Sequence, residues 1–228
     1  MHENPAAAPR FTARRLLYVG TGSLGVMFMP MWVHWLRSAY PELAVRTVIT
    51  RSATKFVTPT ALSVFAGHTP QLDSWGEEPE TSAAHVEMAE WADTVIVHPA
   101  TFHFTSRLAL GVADTPVLLA LQCTRAPIVL APALPPGALA SAAWESHMAA
   151  LERRPNVHVV PPHPGVSITT GKPDAATAAP LPEVLLAAER LRAAAAGGSS
   201  DGANASDGTD GTDATDVTER SKRTESTP

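Results

Sequence analysis

Between residues 16 and 196 the chain alternates short apolar runs with segments whose apolar residues recur at helical spacing. LLYVG (16–20), VRTVIT (45–50), TVIVHP (94–99), PIVLAP (127–132) and VHVV (157–160) read as five strands. Apolar residues at helical spacing run from Leu24 to Ala39. Pro30 should kink or delay that helix, because proline lacks an N–H and clashes with the preceding turn. TPTALSVFAG (58–67) reads as a helix with Thr58 as N-cap, Pro59 in the first turn and Gly67 closing it. Further helices are expected over 83–91, over 103–122 with a break near Asp114-Thr115-Pro116, over 138–153 and over 182–195. Strands alternating with helices predict an α/β domain: a Rossmann-like (flavodoxin-like) parallel sheet with helices on both faces.

The 228 residues, 45% hydrophobic and 17% charged, are enough for one domain plus a tail. From Gly197 to Thr218 nearly every residue is Gly, Ser, Asp, Thr or Ala, too little apolar surface to offset the entropy of ordering. The expected division is therefore a loose segment over 1–14, the domain over 15–196 and a disordered acidic tail over 197–228. Seven acids and three bases give that tail a net charge of −4, which leaves −1 of the total −5 for the rest. A nearly neutral domain lacks the basic excess that drives nucleic-acid binding, so no such partner is expected. The longest nearly apolar stretch, Leu24 to Val33, is too short to cross a bilayer, and MHENPAAAPR does not resemble a secretory signal. A cytoplasmic location follows as the expectation. The only cysteine, Cys123, reads as a small buried residue, and no His or Cys spacing suggests a metal site.

In parallel sheets ligands bind beyond the carboxyl ends of the strands, which directs attention to the segments that follow them. The first strand leads into Gly20-Thr21-Gly22-Ser23, with Gly25 completing a GxGxxG pattern. Small residues there let backbone N–H groups approach an anion. A dinucleotide site also wants an acid after the second strand, where this chain has Thr50-Arg51-Ser52, better suited to a phosphate or a ribityl chain. The third strand ends in His98-Pro99-Ala100-Thr101-Phe102-His103-Phe104, two imidazoles and two aromatics that could flank a planar ring. The fourth ends in a rigid loop, Pro132-Ala133-Leu134-Pro135-Pro136-Gly137.

In this order the motifs resemble the homo-oligomeric flavin-containing cysteine decarboxylases. That family includes epidermin-type peptidyl-cysteine decarboxylases of lanthipeptide pathways, phosphopantothenoylcysteine decarboxylases and, more distantly, flavin prenyltransferases. The likeness covers about residues 15–190. It begins with LLYVGTGSLGV and ITRSATKFV. HVEMAEWADTVIVHPATFHFTSRLALGVADTPVL is similar to the family's histidine-to-PASANT block and its GxADxLL continuation, and PIVLAPAL stands in the place of its P-x-M-N segment. ITTGKPDAATAAPLPEVL resembles its substrate-clamp loop and closing helix.

The resemblance implies His85 as the active-site histidine. It implies Gly22, Ser23 and Thr50 at the flavin phosphate and ribityl chain, and Thr101, Phe102, His103 and Ala133 bordering the ring. The implied cofactor is FMN, with FAD as the alternative. The implied partners are a precursor peptide and further copies of the chain, as trimers that assemble into dodecamers. Two departures stand out: the PASANT asparagine falls at His103 and the P-x-M-N asparagine at Pro135. That second amide normally helps to bind the substrate carboxylate; either another donor replaces it, His103 or Lys172 in the clamp-like loop, the latter carrying a suitable charge, or the substrate differs. The implied reaction is oxidative decarboxylation of a C-terminal cysteine. Residues 162–182 hold no cysteine, the acid that the coenzyme A branch uses to reduce its enethiol, so the product is expected to be an unreduced aminoenethiol that cyclises to aminovinyl-cysteine. The alternatives are a phosphopantothenoylcysteine decarboxylase, a flavin prenyltransferase and a non-catalytic flavin-binding subunit.

Overall fold

A computed structural model describes residues 8–76 and 82–198; of the expected tail over 197–228, Gly197 and Gly198 instead end the last helix, and residues 199–228 lie outside the described residues. The apolar runs form parallel strands β1 (Arg15–Gly20), β2 (Ala44–Thr50), β4 (Thr94–Thr101), β5 (Ile128–Ala133) and β6 (Val157–Val159), and a short β3 (Gln71–Asp73) adds an edge. The order is β3-β2-β1-β4-β5-β6, all neighbours parallel. Without β3 this is the flavodoxin-like order, and β3 extends it to the doubly wound 3-2-1-4-5-6. The Rossmann-like expectation is met.

Strand periodicity of two divides the core. Leu16 and Tyr18 enter one apolar cluster with Ile49, Ile96 and Val129. Leu17 and Val19 enter the other with Val48, Val97 and Leu130. The first cluster is covered by α1 (Met29–Ala39), α2 (Pro59–Ala66) and α7 (Leu181–Gly198) through Val33, Leu36, Leu62, Val184 and Leu185. The second is covered by α3 (Ala84–Trp91), α4 (Phe102–Ala109), α5 (Pro116–Cys123) and α6 (Ala142–Glu152) through Met88, Leu108, Leu118, Leu121 and Leu151. Fully burying each such side chain contributes about 1.5–3 kcal/mol.

Local signals set the helix starts. Pro30 delays α1: Leu24–Phe28 is a 3-10 turn, and the α-helix begins at Met29 with Pro30 in its first turn, where no hydrogen bond is lost. Thr58 caps α2 by accepting from the Ala61 N–H, and Gly67 closes it at φ 76°. Thr115 caps α5, with Pro116 first in the helix, which is the expected break in 103–122. The expected 138–153 helix is split, because Ser141 caps α6 and leaves Ala138–Ala140 as a 3-10 turn.

Sequence reading missed β3 and an antiparallel hairpin of β7 (His163–Gly165) and β8 (Ala175–Thr177). Cys123, expected to be buried, is exposed at the end of α5. Within 1–14, Thr12 donates backbone and side-chain bonds to Glu189, the Pro9 carbonyl accepts from the Tyr40 hydroxyl, and Phe11 packs on the first core. No helix among the described residues is long and apolar enough to cross a membrane.

Candidate functional site

The strand order reverses between β1 and β4, and their carboxyl ends are joined there by Thr21. Its hydroxyl donates to the Pro99 carbonyl (2.7 Å) and accepts from the Thr101 N–H (2.8 Å). Two clefts open at this edge. The first, about 650 Å³, lies over β1, β2, β3 and β4 and is lined by Thr21, Thr50, Arg51, Ser52, Lys55, Asp73, Trp75 and Arg107, among others. The second, about 910 Å³, runs from the loop after β1 across β4 and β5 to the hairpin, and is lined mainly by apolar groups such as Met27, Phe28, Trp32, Phe102, Ala133, Leu134 and Ile168. Thr101 and His103 line both, so the clefts share one wall.

The predicted residues divide between these compartments. Thr50 lines the first cleft, whereas Gly22, Ser23, Phe102, Ala133 and Pro135 line the second. Lys172 is exposed in the hairpin loop and lines neither, its carbonyl accepting from the Ser167 N–H at 2.8 Å. His85, on α3, also lines neither. Its ring lies 5.8 Å from that of Trp75, which does line the first cleft, and its Nδ1 is buried without a hydrogen-bond partner among the described residues.

The first cleft is built for a polyhydroxylated anion. The Thr50 and Ser52 hydroxyls are 3.2 Å apart. Gly22 is needed for the close approach of their loop: a Cβ there would stand 2.4 Å from Ser52 Oγ. Arg51 and Lys55 supply exposed positive charge at the rim. Arg107 pairs with Asp114, and that bond holds the Asp114 carboxyl below the usual carboxylate range. Asp73 caps α5 by accepting from the Val117 N–H (3.0 Å). Its other oxygen is buried without a hydrogen-bond partner among the described residues, and burial pushes its pKa up. Beside this polar compartment the second cleft offers an apolar slot with Phe102, Ala133 and Leu134 on one wall. A phosphate and ribityl chain fit the one and a planar ring fits the other.

His98, at the end of β4, lines the second cleft but is itself buried. Tyr18 Oη lies 3.1 Å from its Nδ1, and its Nε2 lies 3.0 Å from the Ala179 carbonyl. Burial lowers its pKa from the ordinary 6.5 to about 4, against an opposing contribution from the Ala179 bond. Between those two values the unfolded chain binds a proton that the folded chain does not. Stability is therefore expected to fall as pH drops from about 6.5 to about 4, by an amount on the order of 3 kcal/mol. Urea unfolding at pH 7 and pH 4.5 checks this: the loss should be smaller in His98→Gln than in the wild type.

Thr21 and Asp73 were not predicted as site residues, and His98 was named only among the groups that could flank a ring, not as a buried tie to a distant carbonyl. The GxGxxG pattern flanks Thr21 without marking it, and β3 is too short to point to Asp73. For His98 the available signal was an imidazole inside a buried strand run.

The family model described as Flavoprotein matches residues 9–185. The chain belongs to the flavoprotein family. This flavoprotein is 34% identical over 172 residues to cypemycin cysteine dehydrogenase (decarboxylating) from a Streptomyces species, a match covering 75% of the chain and 88% of that protein. Among solved structures it resembles the cypemycin decarboxylase CypD, with TM-score 0.67 and 32% identity over 82% of this chain and 98% of that one. It also resembles the FMN-dependent cysteine decarboxylase SpaF, with TM-score 0.63 and 25% identity over 77% and 97%. The bifunctional coenzyme A biosynthesis protein CoaBC of Haemophilus influenzae is 35% identical over 114 residues, which is half of this flavoprotein and 28% of that protein.

Proposed function

We propose that this flavoprotein removes CO2 oxidatively from the C-terminal cysteine of a ribosomally made precursor peptide, with FMN as cofactor, leaving an aminoenethiol that closes to aminovinyl-cysteine. The observation that carries the reading is the pair of clefts sharing Thr101 and His103, one hydroxyl-lined with positive charge at its rim and one apolar and open to the surface. The likeness to CypD and SpaF supports the same reading.

Thr50 and Ser52 would hold the phosphate and ribityl end, with Gly22, packed against Ser52, and Ser23 reaching it from the second cleft and Arg51 and Lys55 supplying countercharge. Phe102, Ala133 and Leu134 would wall the ring, while Thr101 and His103 stand between ring and phosphate ends. Bound flavin supplies the two-electron acceptor that the oxidation requires. His85 would be the proton acceptor for the substrate thiol, its Nδ1 having no hydrogen-bond partner among the described residues. Pro135, in place of an amide, lines the second cleft without offering a side-chain donor. Lys172 is the cation available on the hairpin loop for a peptide carboxylate, and Lys172→Ala is expected to raise the peptide KM several-fold with kcat little changed.

The chain is further proposed to act as a homo-oligomer in the cytoplasm, where ribosomal precursors are made. Leu24, Met27, Phe28 and Met31, each about half exposed, form an apolar face that a second copy would cover. A covered face of this kind could also bring His85 of one protomer to the clefts of another.

The test is mass spectrometry of a Cys-terminated peptide incubated with the purified chain. Loss of CO2 and two hydrogens is expected. Loss of CO2 alone would assign the coenzyme A type of outcome, and an unchanged peptide would refute peptide decarboxylation.

A further inference from the structure

The floor of the second cleft holds a buried polar chain, Tyr18 to His98 to Ala179, that the reaction above does not use. The Ala179 carbonyl can only accept a hydrogen bond, so His98 Nε2 carries the proton. In the neutral ring Nδ1 is then an acceptor, and the Tyr18 hydroxyl donates to it. Tyr18 and Ala179 are wholly buried, and the Trp32 ring stands edge-on to the imidazole at 6.3 Å. The ring therefore has a fixed orientation, and neither of its partners can turn to water instead.

Ala179 belongs to the return arm of the hairpin. That arm is fixed at a second point, where Leu134 and Ala176 exchange backbone bonds of 2.8 and 3.2 Å. The loop between β7 and β8 is different in kind. Val166 and Ile168 are 57% and 82% exposed, and the loop's backbone bonds are local, from Ser167 N–H to the Lys172 carbonyl and from Gly171 N–H to the Ser167 carbonyl. The loop is a self-contained tip carried on an arm, and the arm forms the far wall of the second cleft through residues 175–180.

We propose that His98 is a positioning residue that ties this arm to the strand-order reversal between β1 and β4, so that at Ala179, beyond the Leu134–Ala176 bonds, the spacing between the floor of the cleft and its far wall is set by the imidazole. Its role as the wall of a peptide site rests on the function proposed above. The tether itself does not.

Two substitutions separate the two halves of the chain of bonds. In His98→Asn the amide oxygen still accepts from Tyr18, but the side chain is too short to reach Ala179. In His98→Gln the longer amide N–H reaches the Ala179 carbonyl. Hydrogen–deuterium exchange on the full chain, without substrate, reads the arm directly. Exchange at residues 175–179 is expected to rise roughly tenfold in His98→Asn and to stay near wild type in His98→Gln. Equal protection of the arm in all three proteins, or a loss spread evenly over the sheet in both variants, would overturn the tether. Should His98→Asn fail to fold, the wild-type histidine nitrogen spectrum serves instead. A neutral ring protonated at Nε2 at pH 6 is expected, and the Nδ1–H tautomer or an imidazolium would overturn it. Neither measurement needs decarboxylation, so an inactive enzyme leaves this result readable.

Discussion

Replacing His85 by Asn is expected to lower CO2 release by about 100-fold or more while the protein keeps its flavin, the usual magnitude for losing a positioned acid or base. The substitution replaces the imidazole, whose ring meets that of Trp75 at an angle of 73°, with a smaller polar amide. It removes the basic nitrogen. In the wild type Nδ1 is buried and unpartnered among the described residues, an arrangement that costs stability unless a ligand or partner completes it. Product mass and visible absorbance on the same sample check both halves. Turnover within about threefold of wild type would remove His85 from the chemistry.

The second large effect concerns Gly22. In Gly22→Ala the new Cβ would lie 2.4 Å from Ser52 Oγ, 2.6 Å from its Cβ and 3.1 Å from its backbone carbon. The loops after β1 and β2 must separate, and with them the hydroxyls assigned to the cofactor's phosphate end. Overpacking of this kind costs 1–3 kcal/mol, so flavin affinity is expected to weaken roughly tenfold to a hundredfold. Adding Ser52→Gly removes the two nearest atoms and leaves only the 3.1 Å contact, so the double variant should regain the folding stability lost in Gly22→Ala, while flavin affinity stays weakened because the Ser52 hydroxyl is gone. Equilibrium dialysis with FMN checks this, and an unchanged affinity in Gly22→Ala would place the phosphate elsewhere.

Much of the fold was legible because parallel strands buried on both faces are continuous apolar runs. LLYV, TVIV and IVL could be read without alternation or neighbours. β3 was not legible, since QLD is three residues with two of them exposed and its pairing depends on β2 alone. The hairpin was hidden for a similar reason: HPG and AAT carry neither a period nor β-branched runs. Helix starts were read well wherever a hydroxyl cap preceded proline, as at Thr58-Pro59 and Thr115-Pro116. They were read less well at Ser141, which has no proline after it.

The candidate site was legible to the extent that it lies at strand ends. Gly22, Ser23, Thr50, Thr101 and Ala133 follow from the rule that ligands gather at carboxyl edges, sharpened by the resemblance. The roles of Thr21 and His98 escaped, although His98 was visible at a strand end, because their partners are about 80 residues away in sequence, and no local pattern marks a hydroxyl that will bridge two strands or an imidazole that will bond a distant carbonyl. Lys172 shows the opposite limit. Its charge was visible in the sequence, but its position outside the cleft lining depends on how the loop bonds to itself.

The claim on which the rest depends is that the joined clefts at this sheet edge hold a flavin. Titrating the purified, flavin-stripped chain into FMN and following the cofactor's fluorescence tests it most directly. Saturable quenching at one FMN per chain, weakened in Gly22→Ala, is the predicted result. Fluorescence that stays at the free-FMN level as protein is added would contradict it.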